Sequence, residues 1–188
     1  MVKGNHKQKA VAVLPLVKSK LYFGRGNVPD GFTKIDLGLD KSSFPSFQYA
    51  DETVEEIVCE HMFHLVPGHL RGKFMDEIYR LLIPTGKLSL SVPYYNHMRA
   101  VQDFMHAWPP ICEASFLYFN KQWRETNRIE YQVACDFDFS YGYSVEADTA
   151  GRNEETRSFW LKHYVNAATD LQVVMTKRLP ANARPGLN

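Results

Sequence analysis

The feature that most constrains this chain is a strand, a helix and a second strand in direct succession over residues 55–92. Leu70, Phe74 and Ile78 recur at helical spacing, which predicts an amphipathic helix over residues 69–83. A Pro-Thr-Gly turn ends this helix, and the segment after the turn alternates apolar and polar residues as a strand does. Two strands joined by a helix pair in parallel through a right-handed crossover. The pattern therefore predicts an α/β protein.

The rest of the chain adds elements of both kinds and gives a total of about six strands and four helices. The predicted strands are 20–23, 32–37, 55–59, 87–92, 130–140 and 171–176, and the predicted helices are 69–83, 97–105, 113–119 and 153–165. A chain of 188 residues is long enough for one domain. We expect that domain over residues 20–178, with an N-terminal tail over 1–19 and a C-terminal tail over 179–188.

Composition and charge exclude several classes of protein. Apolar residues make up 45% of the chain and charged residues 23%, which is typical of a folded globular protein and not of a disordered one. The net charge of +1 disfavours a protein that holds duplex DNA by its phosphates, although it allows a local basic patch. The three cysteines form no CxxC pair, and the apolar run over residues 10–17 is too short to span a bilayer. We expect a cytoplasmic protein with no membrane partner.

A glycine-rich turn and the acidic residue that follows it could hold a nucleoside cofactor. Gly24 and Gly26 follow a predicted strand and let the backbone approach a ligand closely, and Asp36 ends the next strand, where a carboxylate can accept both hydrogens of a ribose diol. The dinucleotide fingerprint, however, has a third glycine and places its acidic residue about 20 residues on. Asp36 follows Gly26 by ten residues, too few for a full crossover helix. A plain glycine turn with Asp36 as a capping residue remains the alternative, and a dinucleotide-dependent oxidoreductase is disfavoured.

The order and spacing of several segments resemble the short class I S-adenosylmethionine-dependent methyltransferases of phage and bacterial type. The segments that carry this resemblance are the glycine turn at 24–27, the strand with its aspartate at 31–36, the acidic turn and strand at 50–57, the histidine-containing stretch at 61–67, the helix and turn at 76–88, and the strand end at 92–94. The resemblance extends over residues 20–178.

The resemblance implies a fold, a cofactor and a set of cofactor contacts. The fold is a Rossmann-like open, mostly parallel sheet with helices on both faces, its first crossover helix shortened or missing. The implied cofactor is S-adenosylmethionine, and the implied acceptor is a small molecule, a sugar, or a nucleotide or nucleobase. The implied cofactor-binding residues are Phe23, Gly24, Arg25, Gly26, Asn27, Asp36, Leu37, Cys59 and Glu60. Among them, Asp36 would hold the ribose and Leu37 would flank the adenine.

Four residues depart from the pattern of this family. Arg25 stands where a small cysteine is usual, His64 and Leu65 replace the usual glutamate and histidine, and Thr85 replaces a glycine. These departures keep a second hypothesis open, namely a catalytically inactive binding module on the same fold.

Candidate catalytic residues come from the stretches that follow the strands. His61, Tyr95 and His106 lie where an acceptor would bind, because ligands of open α/β sheets bind beyond the carboxyl ends of the strands. A base is needed only if the acceptor must lose a proton, and the alternative role of these side chains is packing. His61, His64 and His69 are close in sequence, but no cysteine accompanies them at zinc-site spacing, so we expect no metal.

Overall fold

A computed structural model describes residues 19–36 and 47–179 of the chain. Six strands form one sheet in the order β2-β1-β3-β4-β6-β5. The strands are β1 (Ser19–Gly24), β2 (Thr33–Lys34), β3 (Val54–Glu60), β4 (Leu82–Pro93), β5 (Phe137–Val145) and β6 (Ala168–Lys177). The pairs from β2 to β4 are parallel, whereas β6 is antiparallel to both of its neighbours. The predicted open, mostly parallel Rossmann-like sheet is confirmed.

The helices are shorter than the sequence pattern predicted. They are α1 (Gly68–Leu81), α2 (Arg99–Gln102), α3 (Lys121–Thr126), α4 (Ala147–Ala150) and α5 (Glu154–His163), with 3-10 helices at Phe63–Leu65 and Glu113–Phe119. The helix predicted over 69–83 ends at Leu81, because Leu82 takes an extended conformation and pairs with Val54. The helix predicted over 97–105 is reduced to α2, and α3 and α4 were not predicted.

The first crossover contains no helix, as the short spacing predicted. Residues 25–32 connect β1 to β2 directly, and β2 pairs with β1 over only two residues. The Ile35 N–H donates to the Tyr22 carbonyl at 2.9 Å and continues the pairing beyond β2. The chain therefore reaches Asp36 at the carboxyl end of β2 without a long detour.

The two faces of the sheet differ in chemistry. Rows of paired residues on the first face are apolar, for example Leu21, Ile57 and Leu88 on adjacent strands, and all three are fully buried. Phe23 on this face contacts Phe74 of α1, with ring centroids 6.3 Å apart, so α1 packs here. The paired rows on the second face carry polar residues such as Ser89, which is half-buried. The hydrophobic core thus lies between the first face and the segments that cover it.

The strand predicted over 130–140 begins only at Phe137 because side chains take the backbone groups of the residues before it. Asp76 of α1 accepts hydrogen bonds from the N–H groups of Ala134 and Cys135, both at 2.8 Å. Arg124 of α3 donates to the carbonyls of Val133 and Cys135. Groups bonded in this way cannot join a sheet ladder, so this stretch stays irregular.

Some predictions lie outside the described residues. These are the tails, except for Ser19 and Leu179, and Leu37 of the implied adenine contact. Within residues 19–36 and 47–179, no helix is long and apolar enough to cross a membrane.

Candidate functional site

The carboxyl ends of the four parallel strands meet along one edge of the sheet, which we call the carboxyl edge. The register pairs Gly24 at the end of β1 with Glu60 at the end of β3, and Glu60 with Ser91 of β4. Asp36 follows β2 at the same edge and is exposed. Side chains that are far apart in the sequence are thereby brought together where open α/β sheets bind their ligands.

The glycine turn rests on the side chain of Tyr22. A Cβ atom on Gly24 would lie 2.4 Å from the ring and hydroxyl of Tyr22, and one on Gly26 would lie 3.0 Å from that hydroxyl. The Tyr22 hydroxyl donates to Glu60 Oε2 at 2.5 Å. The pKa of Tyr22 is raised, mainly because the side chain is buried and secondly because of this hydrogen bond. The backbone of the turn can approach its support this closely only because both residues lack a side chain.

The remaining implied cofactor contacts divide into exposed and buried residues. Arg25 and Asn27 are exposed on the turn, so Arg25 is not buried beneath a ligand site. The side chains of Phe23 and Cys59 are fully buried in the core, and burial raises the pKa of the Cys59 thiol to about 12. Phe23 and Cys59 can offer a ligand at this edge only their backbone groups.

His61 follows β3 and lies beside an acidic residue that the sequence analysis missed. Its backbone has a φ of +51°, and its N–H donates to the Ser91 carbonyl at 2.9 Å. The Nδ1 atom of His61 lies 3.9 Å from Asp170 Oδ1 at the start of β6. Asp170 is also held by Arg99 Nη1, which contacts both carboxylate oxygens at 3.0 and 2.9 Å. No sequence pattern links these residues, since only the antiparallel pairing of β6 with β4 places Asp170 here.

Two further histidines, His64 and His106, form a group with His61. The ring of the buried His64 lies 6.3 Å from that of His61 and 4.9 Å from that of His106. Burial, together with the two neighbouring histidines, lowers the pKa of His64 to about 3, and burial also lowers the pKa of His106. Within the described part of the chain, no three His, Cys, Asp or Glu side chains are arranged to hold a metal ion. His64 and His106 are therefore neutral at pH 7.

The two other candidate catalytic residues have different surroundings. Tyr95 follows β4, is 46% exposed and packs edge-on against Tyr94 at 4.9 Å, so part of its side chain is open to solvent. Both ring nitrogens of His106 are buried and have no hydrogen-bond partner among the residues that the structure describes. The structure therefore brings His61 and Tyr95 to neighbouring strand ends, whereas His106 lies in the packed layer behind them.

Comparison with known proteins identifies the fold. No protein-family model matches the sequence, and no curated protein matches it. A SAM-dependent methyltransferase from Archaeoglobus fulgidus, a solved structure, is similar over 85% of this chain and 86% of its own, with a TM-score of 0.51 and 10% identity. The chain has the fold of that methyltransferase. An S-adenosylmethionine-dependent methyltransferase from Mesorhizobium loti is similar over 88% of this chain and 94% of its own, with a TM-score of 0.44 and 14% identity.

Proposed function

We propose that this protein is an S-adenosylmethionine-dependent methyltransferase that acts on a small molecule, a sugar, or a nucleotide or nucleobase. The observation that carries the proposal is the carboxyl edge. There the glycine turn after β1, the exposed Asp36 after β2 and Glu60 after β3 lie on three adjacent parallel strands. The shared fold with a methyltransferase supports the same assignment.

The chemistry of the donors and acceptors at this edge fits the proposed cofactor. The exposed backbone of Gly26 and Asn27 offers polar groups to the methionine half. The carboxylate of Asp36 suits a ribose diol, since it can accept two charge-assisted hydrogen bonds. The carboxylate of Glu60 lies 3.3 Å from where a Cβ on Gly26 would be, and a carboxylate there favours a cationic group such as an ammonium. Leu37 remains part of the proposal as the adenine contact.

The cofactor supplies an activated methyl group on a sulfonium, so the protein's task is to align the acceptor and exclude water. Tyr95 offers an exposed ring on which a planar or sugar acceptor can pack. Where the acceptor must lose a proton, we assign His61 as the base. The carboxylate of Asp170, 3.9 Å from its Nδ1, favours the tautomer with the proton on that nitrogen, which leaves Nε2 free to take the proton. His106, the third candidate, packs against the ring of His64 and would act only by positioning His64 behind His61.

Calorimetric titration tests the cofactor assignment. S-adenosylmethionine and S-adenosylhomocysteine should bind the wild type with micromolar affinity, and Asp36→Ala should weaken binding by about 1–3 kcal/mol because charge-assisted hydrogen bonds are lost. Asp30→Ala is the matched control, since it removes an exposed carboxylate six residues earlier in the chain. Absence of binding at millimolar ligand, or equal effects of the two substitutions, would refute the assigned pocket.

A panel of acceptors separates the enzyme from the second candidate, the inactive binding module on the same fold. We favour the enzyme because Arg25, one of the departures from the family pattern, is exposed and leaves the turn open. Turnover with any acceptor excludes the inactive module, and cofactor binding without turnover across the panel supports it.

We propose action in the cytoplasm, which the unpaired thiols of Cys59, Cys112 and Cys135 support. The net charge favours a small acceptor over a nucleic acid.

A further inference from the structure

A cavity of about 620 Å³ lies on the side of the sheet that α1 covers, away from the glycine turn. It opens between the first two turns of α1, the 3-10 helix Glu113–Phe119 with the residues before it, and residues 131–133. None of Gly24, Gly26, Asp36 and Glu60 lines it. The volume is within the range of 300–1,000 Å³ that is typical of small-molecule sites. The cavity is thus a second place where a ligand of modest size can bind.

Aromatic rings form much of the cavity wall. Phe63 and Phe119 are buried there with ring centroids 6.4 Å apart, and Tyr118 and Tyr131 face each other at 5.5 Å with an interplanar angle of 36°. Tyr131 is 63% exposed, so this pair lies at the mouth. Flat aromatic faces favour a flat ligand, because offset stacking and edge contacts form only when the ligand also has an aromatic ring.

Two glycines of α1 bring the walls close to the helix. A Cβ on Gly68 would lie 2.5 Å from the Trp108 carbonyl oxygen, and one on Gly72 would lie 3.2 Å from a methyl group of Val133. The segments on both sides of the cavity thus approach the helix backbone directly. A glycine inside a helix costs about 1 kcal/mol relative to alanine, and the close approach explains its presence here.

The charges around the cavity are all of one sign. Arg71 and Lys73 are the charged side chains among the described residues that line it, and none of those residues is Asp or Glu. The buried guanidinium of Arg71 donates to the carbonyls of Val66, Pro109 and Ala107, so its hydrogen bonds are made to neutral groups. Asp76, one turn beyond Lys73, is held by the backbone of residues 134 and 135. No Asp or Glu of the described residues forms an ion pair with Arg71, and a buried positive charge of this kind attracts an anion.

We propose that this cavity binds a small aromatic anion, a flat ring that carries a carboxylate, sulfonate or phosphate group. The ring packs between the Tyr118–Tyr131 pair and the buried phenylalanines, and the anionic group faces Lys73 and Arg71. The proposal depends on the described geometry of α1 and its neighbours and not on methyl transfer. The outcome of a binding test here is therefore independent of whether S-adenosylmethionine binds at the carboxyl edge.

The test uses 2-naphthoate as the anionic probe and 2-naphthalenemethanol as its neutral counterpart, with binding followed by calorimetry and by amide chemical shifts of the full chain. We expect 2-naphthoate to bind with a Kd below about 1 mM, to bind more tightly than the alcohol, and to shift the amides of residues 69–73 and 131–133. Lys73→Glu should weaken 2-naphthoate about tenfold or more, because it places a like charge beside the anion. It should leave the weaker binding of the alcohol unchanged.

The matched control is Lys162→Glu, which makes the same change at an exposed lysine of α5 outside the cavity. Tyr131→Ala should weaken both probes, since it removes an exposed ring from the mouth. Both lysines and Tyr131 are exposed, so these variants should fold. The proposal is overturned if the two probes bind equally or neither binds at 10 mM probe, a concentration about tenfold above the expected limit. Equal effects of Lys73→Glu and Lys162→Glu, or shifts confined to the carboxyl edge, would overturn it as well.

Discussion

The side chain of Tyr22 explains why two glycines follow β1. Its buried ring supports the turn from below, and its hydroxyl connects the turn to Glu60 on the next strand. The sequence suggested close approach of a ligand as the reason for the glycines, and the structure adds close approach of the protein's own ring. A substitution at Gly24 or Gly26 should therefore affect both the fold and the candidate site.

We expect Gly24→Ala to lower the free energy of unfolding by about 2 kcal/mol, because the new Cβ would meet a ring that has no room to move. Gly142→Ala is the control, since a Cβ at this strand position meets nothing within 4 Å. Urea denaturation of the two variants measures the difference. Equal stability of the two variants would show that the ring of Tyr22 can move aside.

His64 should make folding stability depend on pH. Its folded pKa of about 3 is below the value near 6.5 of an unfolded histidine, so the unfolded chain binds the extra proton. The contribution of His64 to the free energy of unfolding is complete above pH 6.5 and is lost as the pH falls toward 3. When the pH is lowered from 7 to 5, protonation of His64 in the unfolded chain should lower the free energy of unfolding of the wild type by about 2 kcal/mol.

Denaturation of His64→Gln at both pH values tests this expectation. The variant should lose about 2 kcal/mol less than the wild type on acidification, since the unfolded-state proton uptake at this position is gone. His163→Gln, at an exposed histidine of α5, is the control and should behave as the wild type does. An unchanged pH dependence in His64→Gln would mean that His64 binds a proton equally well in the folded and in the unfolded protein.

At the scale of elements, Arg71 attaches the start of α1 to the loop that precedes the 3-10 helix Glu113–Phe119. Its guanidinium donates to carbonyls on both sides, those of Val66 and of Ala107 and Pro109, and burial lowers its pKa to about 10. The Ala107 N–H also donates to the His64 carbonyl at 3.0 Å. The loop is thus held by side chain and backbone together, which fixes His106 beside His64.

Replacement of Arg71 should therefore detach this loop. We expect Arg71→Met to lower the free energy of unfolding by about 2–4 kcal/mol, because it keeps the apolar stem but leaves the buried Val66 carbonyl and the carbonyls of Ala107 and Pro109 without this donor. Arg71→Lys should recover little of the stability that Arg71→Met loses, since one ammonium group cannot reach the three carbonyls that the planar guanidinium reaches. Thermal unfolding of both variants measures this, and full stability of Arg71→Lys would show that charge alone suffices.

At the scale of the whole molecule, the sheet has one apolar face and one polar face. Val173 and Val174 are neighbours on β6, yet the first is 1% exposed and the second 40% exposed. Val173 pairs with Leu90 on the face that α1 covers, and Val174 pairs with Ser89 on the opposite face. The core of this protein therefore depends on which face a strand residue occupies.

The two valines provide a test of that layer arrangement. Val173→Thr should lower the free energy of unfolding by about 1–3 kcal/mol, because it buries a hydroxyl without changing the side-chain shape. Val174→Thr should stay within about 0.5 kcal/mol of the wild type, as surface substitutions do. Denaturant unfolding compares them. A large effect at Val174 would indicate that the second face is covered.

The sequence by itself determined the central helix and the parallel pairing of the strands on either side of it. The helical spacing of Leu70, Phe74 and Ile78 predicted α1, and the short spacing from Gly26 to Asp36 predicted a crossover without a helix. Both features are set by residues that are close together in the chain, so the periodicity of apolar residues and the length of a connection are enough to predict them. The family resemblance added the edge where Gly24, Gly26 and Asp36 meet.

Only the tertiary structure decided which distant groups meet. Asp170 reaches His61 through the pairing of β6 with β4, and Arg124 and Asp76 hold the backbone of residues 133–135 out of the sheet. The cavity beside α1 likewise combines α1 with residues from the segments 109–119 and 131–133, which lie well beyond the helix in the chain. Such contacts leave no periodic trace in the sequence, because one hydrogen bond or ion pair needs only one residue at each end. Their positions are set by the packing of whole elements, and local spacing does not encode that packing.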